Sequence, residues 1–199
     1  RRQRQMCIRD SYFMADCKYE LENYTGAVLD LNSAIQLADK HNGMGYFYDR
    51  MNQFFSHSGD DLLYGLRGEC KYEMDYFKDA IEDFNKAIEL KPNLWPAIYN
   101  RGLDKFLMRD IQGAISDFSK TLEIKPSYAN AFFYRGWAKD LNADYKGAIE
   151  DFSEVLKVNP RSYDALKNRG LSKAAINDHK GAIEDYSRIL KIFSVDKYN

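Results

Sequence analysis

One spacing limits what this 199-residue chain can fold into: Ala80, Ala114, Ala148 and Ala182 stand 34 residues apart, each inside a near-copy of one short segment. The copies read Asp79-Ala80-Ile81-Glu82-Asp83-Phe84, Gly113-Ala114-Ile115-Ser116-Asp117-Phe118, Gly147-Ala148-Ile149-Glu150-Asp151-Phe152 and Gly181-Ala182-Ile183-Glu184-Asp185-Tyr186. A register held over four copies means that each unit is one supersecondary element, which buries its apolar face by stacking on its neighbours. Arg-Gly pairs end twelve residues before each Ala, at Gly68, Gly102, Gly136 and Gly170, and Pro92, Pro126 and Pro160 close three of the units. Between Gly and Ala the apolar residues return at helical spacing, then break at Met74-Asp75-Tyr76, Arg109-Asp110, Ala143-Asp144 and Asn177-Asp178. Each unit therefore predicts two antiparallel helices, a short turn, and a closing Lys-Pro or Asn-Pro that cannot continue the helix.

The columns of the alignment say how such helices pack. Glycine inside a helix costs about 1 kcal/mol relative to Ala, so a Gly repeated there marks a place where a neighbouring helix comes too close for a side chain. The small Ala column is its expected counterpart. Tyr64, Ile98, Phe132 and Leu166, the aromatic column from Phe84 to Tyr186, and Ile88, Leu122, Leu156 and Leu190 supply the bulk around those contacts.

The period, the Gly, the Ala, the aromatic four residues after it and the terminal Pro resemble the tetratricopeptide repeat. The match covers about residues 61–193 in an Arg-Gly variant: Arg precedes the Gly where the family commonly has Leu, and Lys71, Lys105, Lys139 and Lys173 follow it where the family has Tyr. The Tyr-, Lys- and Asn-rich repeats look similar to bacterial members. The resemblance implies an all-α fold, a right-handed superhelical solenoid of antiparallel helix pairs, that binds proteins and is not an enzyme.

A further copy is expected upstream, where Tyr24-Thr25-Gly26-Ala27-Val28-Leu29-Asp30-Leu31 matches the second-helix segment, Lys18 matches the Lys column, and a first helix spans about Ile8 to Leu21. Ala27 lies 53 residues before Ala80, one period plus 19. The excess, with Tyr46, Phe47, Tyr48, Met51, Phe54 and Phe55, reads as an inserted amphipathic helix. The expected organisation of 1–199 is thus a single domain, with repeat 1 at about 8–40, the insert at about 41–60, and repeats 2 to 5 at 61–94, 95–128, 129–162 and 163–199. No polar capping helix is evident after the last repeat, as expected either of a piece of a longer protein or of a chain whose insert or uncapped end packs on another copy.

Arg67, Arg101, Arg135 and Arg169 recur with Asp83, Asp117, Asp151 and Asp185. Because each positive column has an acidic one, a structural Arg-Asp ladder is favoured over an anion-binding stripe. The family binds ligands in the concave groove lined by the first helices. On this chain that implies a peptide-binding groove of Tyr99, Asn100, Leu103, Phe106, Phe133, Tyr134, Trp137 and Asn168, flanked by Asn130 and Leu141. Aromatic rings bury large areas with few rotors and Asn can bond a peptide backbone, so the expected partner is a peptide or helix of another protein. The family's clamp for acidic carboxy-terminal chaperone tails is not expected: Tyr99 or Gly65 stands where it needs Lys, Leu103 or Glu69 where it needs Asn, and Tyr134 where it needs Arg, with Asn100 alone fitting.

Other functions find little support. His41, His57 and His179 fall on expected turns or loops with neither metal spacing nor a nucleophile beside them, and the sequence holds no glycine-rich phosphate loop. No catalytic residue, cofactor or metal is therefore expected. A net charge of −1 gives no field to gather nucleic acid, and single-stranded RNA binding through stacked aromatics and the Lys column would lack a basic groove. No apolar run is long enough for membrane insertion. Cys7, Cys17 and Cys70 read as reduced, buried thiols, and a cytoplasmic setting is the expectation.

Overall fold

The computed structural model describes residues 2–39 and 59–196, and all regular structure among them is helical. The chain divides into two units, Arg1–Met108 and Arg109–Asn199. In the first, α1 (Arg2–Glu20) pairs with α2 (Tyr24–Asp39) and α3 (Gly59–Glu73) with α4 (Phe77–Leu90). Helix α2 packs on α3, and α4 packs on α5 (Trp95–Leu107). In the second, α6 (Ile111–Ile124) packs on α7 (Ala129–Leu141), α7 pairs with α8 (Tyr145–Val158), α8 packs on α9 (Tyr163–Ala175), and α9 pairs with α10 (His179–Asp196). Helix α1 starts at Arg2, earlier than the pattern around Ile8 predicts, and α3 already includes Gly59 and Asp60. The rest of the expected inserted helix, with His41 and His57, lies outside the described residues.

The turns inside the pairs share one construction. Glu22, Asp75, Arg109, Ala143 and Asn177 adopt left-handed backbone with φ of 58°, 62°, 67°, 61° and 64°. After four of these turns an Asn or Asp caps the next helix: Asn23, Asp110, Asp144 and Asp178 accept from the backbone N–H of Gly26, Gly113, Gly147 and Gly181 at 3.1, 3.0, 3.0 and 2.9 Å. A Cβ on those glycines would run into the capping side chain. The remaining turn departs at both positions together, with Tyr76 giving no side-chain cap and Asp79 replacing the Gly.

The glycine column does mark close approach, but its partner is the aromatic column and not the alanines. A Cβ at Gly68 would lie 2.7 Å from the Phe84 ring, at Gly170 2.8 Å from Tyr186, and at Gly136 3.1 Å from Phe152. The first repeat solves the same contact with different volumes: Ala15 takes the Gly place and Leu31 the aromatic place, both fully buried. Phe84, Phe118 and Phe152 are fully buried, as are Ala80, Ala114 and Ala148. Leu190 is the exception among the bulky columns, 70% exposed on the outer helix α10.

Candidate functional site

The Arg and Asp columns form a ladder, and the lysines belong to it. Within the helix pairs, Arg67 grips Asp83 through Nε at 2.8 Å and Nη2 at 2.5 Å. Arg135 holds Asp151 at 2.9 and 2.6 Å, and Arg169 holds Asp185 at 2.9 and 2.5 Å. Lys71, Lys139 and Lys173 each place Nζ 2.8 Å from the same carboxylates. The remaining guanidinium nitrogen reaches the preceding pair: Nη1 of Arg67, Arg101, Arg135 and Arg169 donates to Asn32, Asn85, Ser119 and Ser153. Burial pushes the Asp185 carboxyl up, but the hydrogen bonds from Arg169 and Lys173 outweigh it and hold the group below its ordinary value. Three of the four recurring lysines thus belong to the ladder.

The expected groove residues fall into two sets. In the first unit, Tyr99 and Phe106 are buried, Leu103 is half-buried, and the Asn100 amide donates to Glu69 Oε1 at 3.0 Å. In the second, Phe133, Tyr134 and Trp137 form an aromatic tier on α7. The Tyr134 and Trp137 rings stack at 6.3 Å and 22°, Tyr134 also stacks with Phe118 at 6.0 Å, and Phe133 stands edge-on to Tyr134, Trp137 and Phe152. Trp137 is 40% exposed and Leu141, one turn on, 46%. Asn168 on α9 is half-buried, and its carbonyl accepts from Ser172 Oγ. Two of the thiols part company: Cys70 is buried, with burial and then Glu69 pushing its pKa up to about 12, while Cys17 is exposed against expectation. His179 begins α10 and is exposed.

A second polar face went unread in the sequence. Where α1 meets α3, Tyr12, Asp16 and Tyr19 on α1 come together with Glu69 and Glu73 on α3, and Tyr24 at the start of α2 stands edge-on to Tyr19 at 5.5 Å. Burial, then Asp16 and Glu69, raise the Tyr12 hydroxyl; burial, then Glu69 and Glu73, push Tyr19 up to about 12. Glu69 is itself raised by burial, against the Asn100 hydrogen bond, with Glu73 and Asp16 adding to the rise. The i, i+4, i+7 spacing of Tyr12, Asp16 and Tyr19, beside Glu69 and Glu73 at i, i+4, was the available signal. Among the described residues no group of His, Cys, Asp and Glu is arranged to hold a metal ion, and no helix is long and apolar enough to cross a membrane.

Two tetratricopeptide-repeat profiles match the sequence, over residues 63–94 and 142–196, where the helix pairs and the ladder stand. Both matched segments are tetratricopeptide repeats. Solved structures share the fold. A crystal structure of MamA superposes with a TM-score of 0.78 at 19% identity, covering 93% of this chain and 97% of that one. MamA from Desulfovibrio magneticus RS-1, from residue 41 to its end, gives 0.80 at 16% over 95% and 96%. YrrB, titled a TPR protein with an unusual peptide-binding site, gives 0.75 at 16% over 92% and 84%. At these identities the likeness concerns the fold alone. No curated protein matches the chain in sequence.

Proposed function

We propose that this tetratricopeptide-repeat protein is a non-catalytic scaffold that holds a peptide or helix of a partner protein on the aromatic tier of α7. The observation supporting it most directly is the stacked Tyr134–Trp137 pair, with Trp137 40% exposed beside exposed Leu141. Rings already stacked lose little freedom on binding, and exposed Trp is the residue type that most often anchors an interface. The peptide-binding site named for YrrB lends support by analogy of fold. Tyr99 and Phe106 are buried and Asn100 is engaged by Glu69, so in the first unit Leu103 is the member of the expected groove with surface to offer.

Peptides selected from a displayed library on the wild type test this reading. They should bind Trp137→Ala at least about 30-fold more weakly, the loss of one hot spot of ~2 kcal/mol, with helicity and melting temperature nearly unchanged. Equal binding to both proteins, or unfolding of the variant, refutes it. Self-association is a second reading, favoured by Ile183 and Leu190, which are 64% and 70% exposed on α10 although Leu122 and Leu156 of the same column as Leu190 are buried. Light scattering that finds a monomer at high concentration excludes it.

A further inference from the structure

The second helices α2, α4, α6 and α8 are each packed by the first helix of the next repeat, and α10 presents the same face exposed. Leu122 on α6 and Leu156 on α8 are buried, and so are the rings of Phe84, Phe118 and Phe152. At the matching places on α10, Leu190 is exposed and Tyr186 only half-buried, and Ile183 is exposed where Ile81, Ile115 and Ile149 are half-buried. The covering helix has a constant chemistry. Leu156 shares one buried cluster with Ala165 and Leu166 of α9, and the same small and bulky pair recurs as Ala97-Ile98 and Ala131-Phe132. Three residues after the bulky member stands the arginine whose Nη1 crosses the junction, from Arg67, Arg101, Arg135 and Arg169 to Asn32, Asn85, Ser119 and Ser153. Half-buried Ser187 on α10 is the fifth member of that acceptor column, and each of the four arginines already serves another. Nor does such a junction need a short link: the connection from α2 to α3 is 19 residues longer than the period requires, yet the helices pack and Arg67 Nη1 reaches Asn32 at 2.7 Å.

We propose that α10 docks a helix of another protein that carries a small residue, a bulky apolar residue directly after it and an arginine three positions later. The apolar pair lies against Leu190, and the guanidinium donates to Ser187 Oγ. The proposal rests on the scaffold reading in taking a protein as partner, and gives that partner a face apart from the α7 tier. Burial of the apolar pair supplies the affinity, while the arginine, held by a directional hydrogen bond, fixes the register of the incoming helix. A second copy of the chain matches the face less well. Its α1 has Asp10, Ser11 and Met14 at the small, bulky and arginine places, with Asp10 and Met14 exposed, and its α3, α5, α7 and α9 already cover second helices of their own.

The probe is a fluorescein-labelled peptide of residues 162–177, the sequence of α9 with its cap, read by fluorescence anisotropy against the whole chain. A lactam between Lys167 and Leu171→Glu, both exposed on α9, holds it helical. The peptide should bind the wild type, and Leu190→Asp should weaken it at least about tenfold. Since Leu190 is exposed, that variant should keep its melting temperature. Arg169→Gln in the peptide should cost about fivefold, as should Ser187→Ala in the protein, and the two together should cost no more than either alone, because both remove one hydrogen bond. No binding at about 1 mM peptide, equal binding to Leu190→Asp, unfolding of that variant, or losses from Arg169→Gln and Ser187→Ala that add in full overturns the proposal. A dimer in light scattering that Leu190→Asp returns to monomer gives the face to a second copy and overturns it too. Trp137→Ala separates the two readings: peptide binding that persists in this variant supports the α10 face whatever becomes of the aromatic tier, and its loss there overturns the assignment to α10.

Discussion

Asp104 allows a sharp test of how this interior is built. It lies two residues after Gly102, in the column of Cys70, Ala138 and Ser172, and all four are fully buried. Ser172 satisfies its hydroxyl on Asp140 Oδ1 at 2.5 Å, but among the described residues neither carboxylate oxygen of Asp104 has a hydrogen-bond partner. Burial alone pushes its pKa up to about 8, so the folded protein keeps the proton that the unfolded chain gives up near pH 4. The native state then binds more protons than the unfolded state between about pH 4 and 8, and stability falls as pH rises through that window by up to ~1.4 kcal/mol per pH unit. At pH 7 the accumulated cost reaches a ceiling of about 4 kcal/mol. Asp104→Ala, which copies Ala138, removes that cost and gives up roughly 1 kcal/mol of packing. The variant should therefore be more stable than wild type by about 2–3 kcal/mol at pH 7, and equal or slightly less stable near pH 4. Urea melts followed by circular dichroism at both pH values measure the difference, in which the other titrating groups cancel. A difference that does not change with pH, or a variant weaker than wild type at pH 7, refutes the reasoning.

Four further outcomes follow from the geometry. Tyr76→Asp combined with Asp79→Gly installs on α4 the cap that α6, α8 and α10 already have and should stabilise by about 1 kcal/mol in thermal melts. Ala143→Gly relieves a left-handed residue at φ 61° and should stabilise by roughly 0.5–1 kcal/mol. Gly68→Ala should destabilise more than Gly136→Ala in denaturant melts, because its Cβ would press 2.7 Å from the Phe84 ring against 3.1 Å at the Phe152 contact. Asp151→Asn strands the cations of Arg135 and Lys139 and should cost about 3–5 kcal/mol, while Lys139→Met leaves the bidentate pair standing and should cost under about 1 kcal/mol.

What was legible in the sequence follows from what repetition can report. A position filled alike in every unit announces a contact made in every unit, so Arg67 with Asp83 and Gly68 with Gly136 pointed to the ladder and the close approach before any coordinate did. The partner of the glycine was misread because a small residue suggests another small residue, whereas the space was wanted by a ring. Ala15 with Leu31 shows the volume being shared between the two positions. Groove membership was harder to read, because the same aromatic residue serves as core or as surface according to its neighbours. Tyr99 and Phe106 are covered while Trp137 is not, and their identities alone could not separate them.

Deviations from the repeat are where this protein's own properties reside, because the repeat supplies only what every unit needs. Tyr76 and Asp79 depart together, since a capping Asp wants Gly three residues on and a turn without that cap does not. Asp104 departs alone and has no hydrogen-bond partner among the described residues. Glu69 and Glu73, like Asp16 and Glu20 at the matching positions of the first repeat, depart toward negative charge from the later repeats, which carry Leu103 and Leu107, Trp137 and Leu141, and Leu171 and Ala175. A paired departure that restores a local contact is a matter of folding. A departure that accumulates like charge on one helix face, as Glu69 and Glu73 do, adds nothing to the stability of that helix.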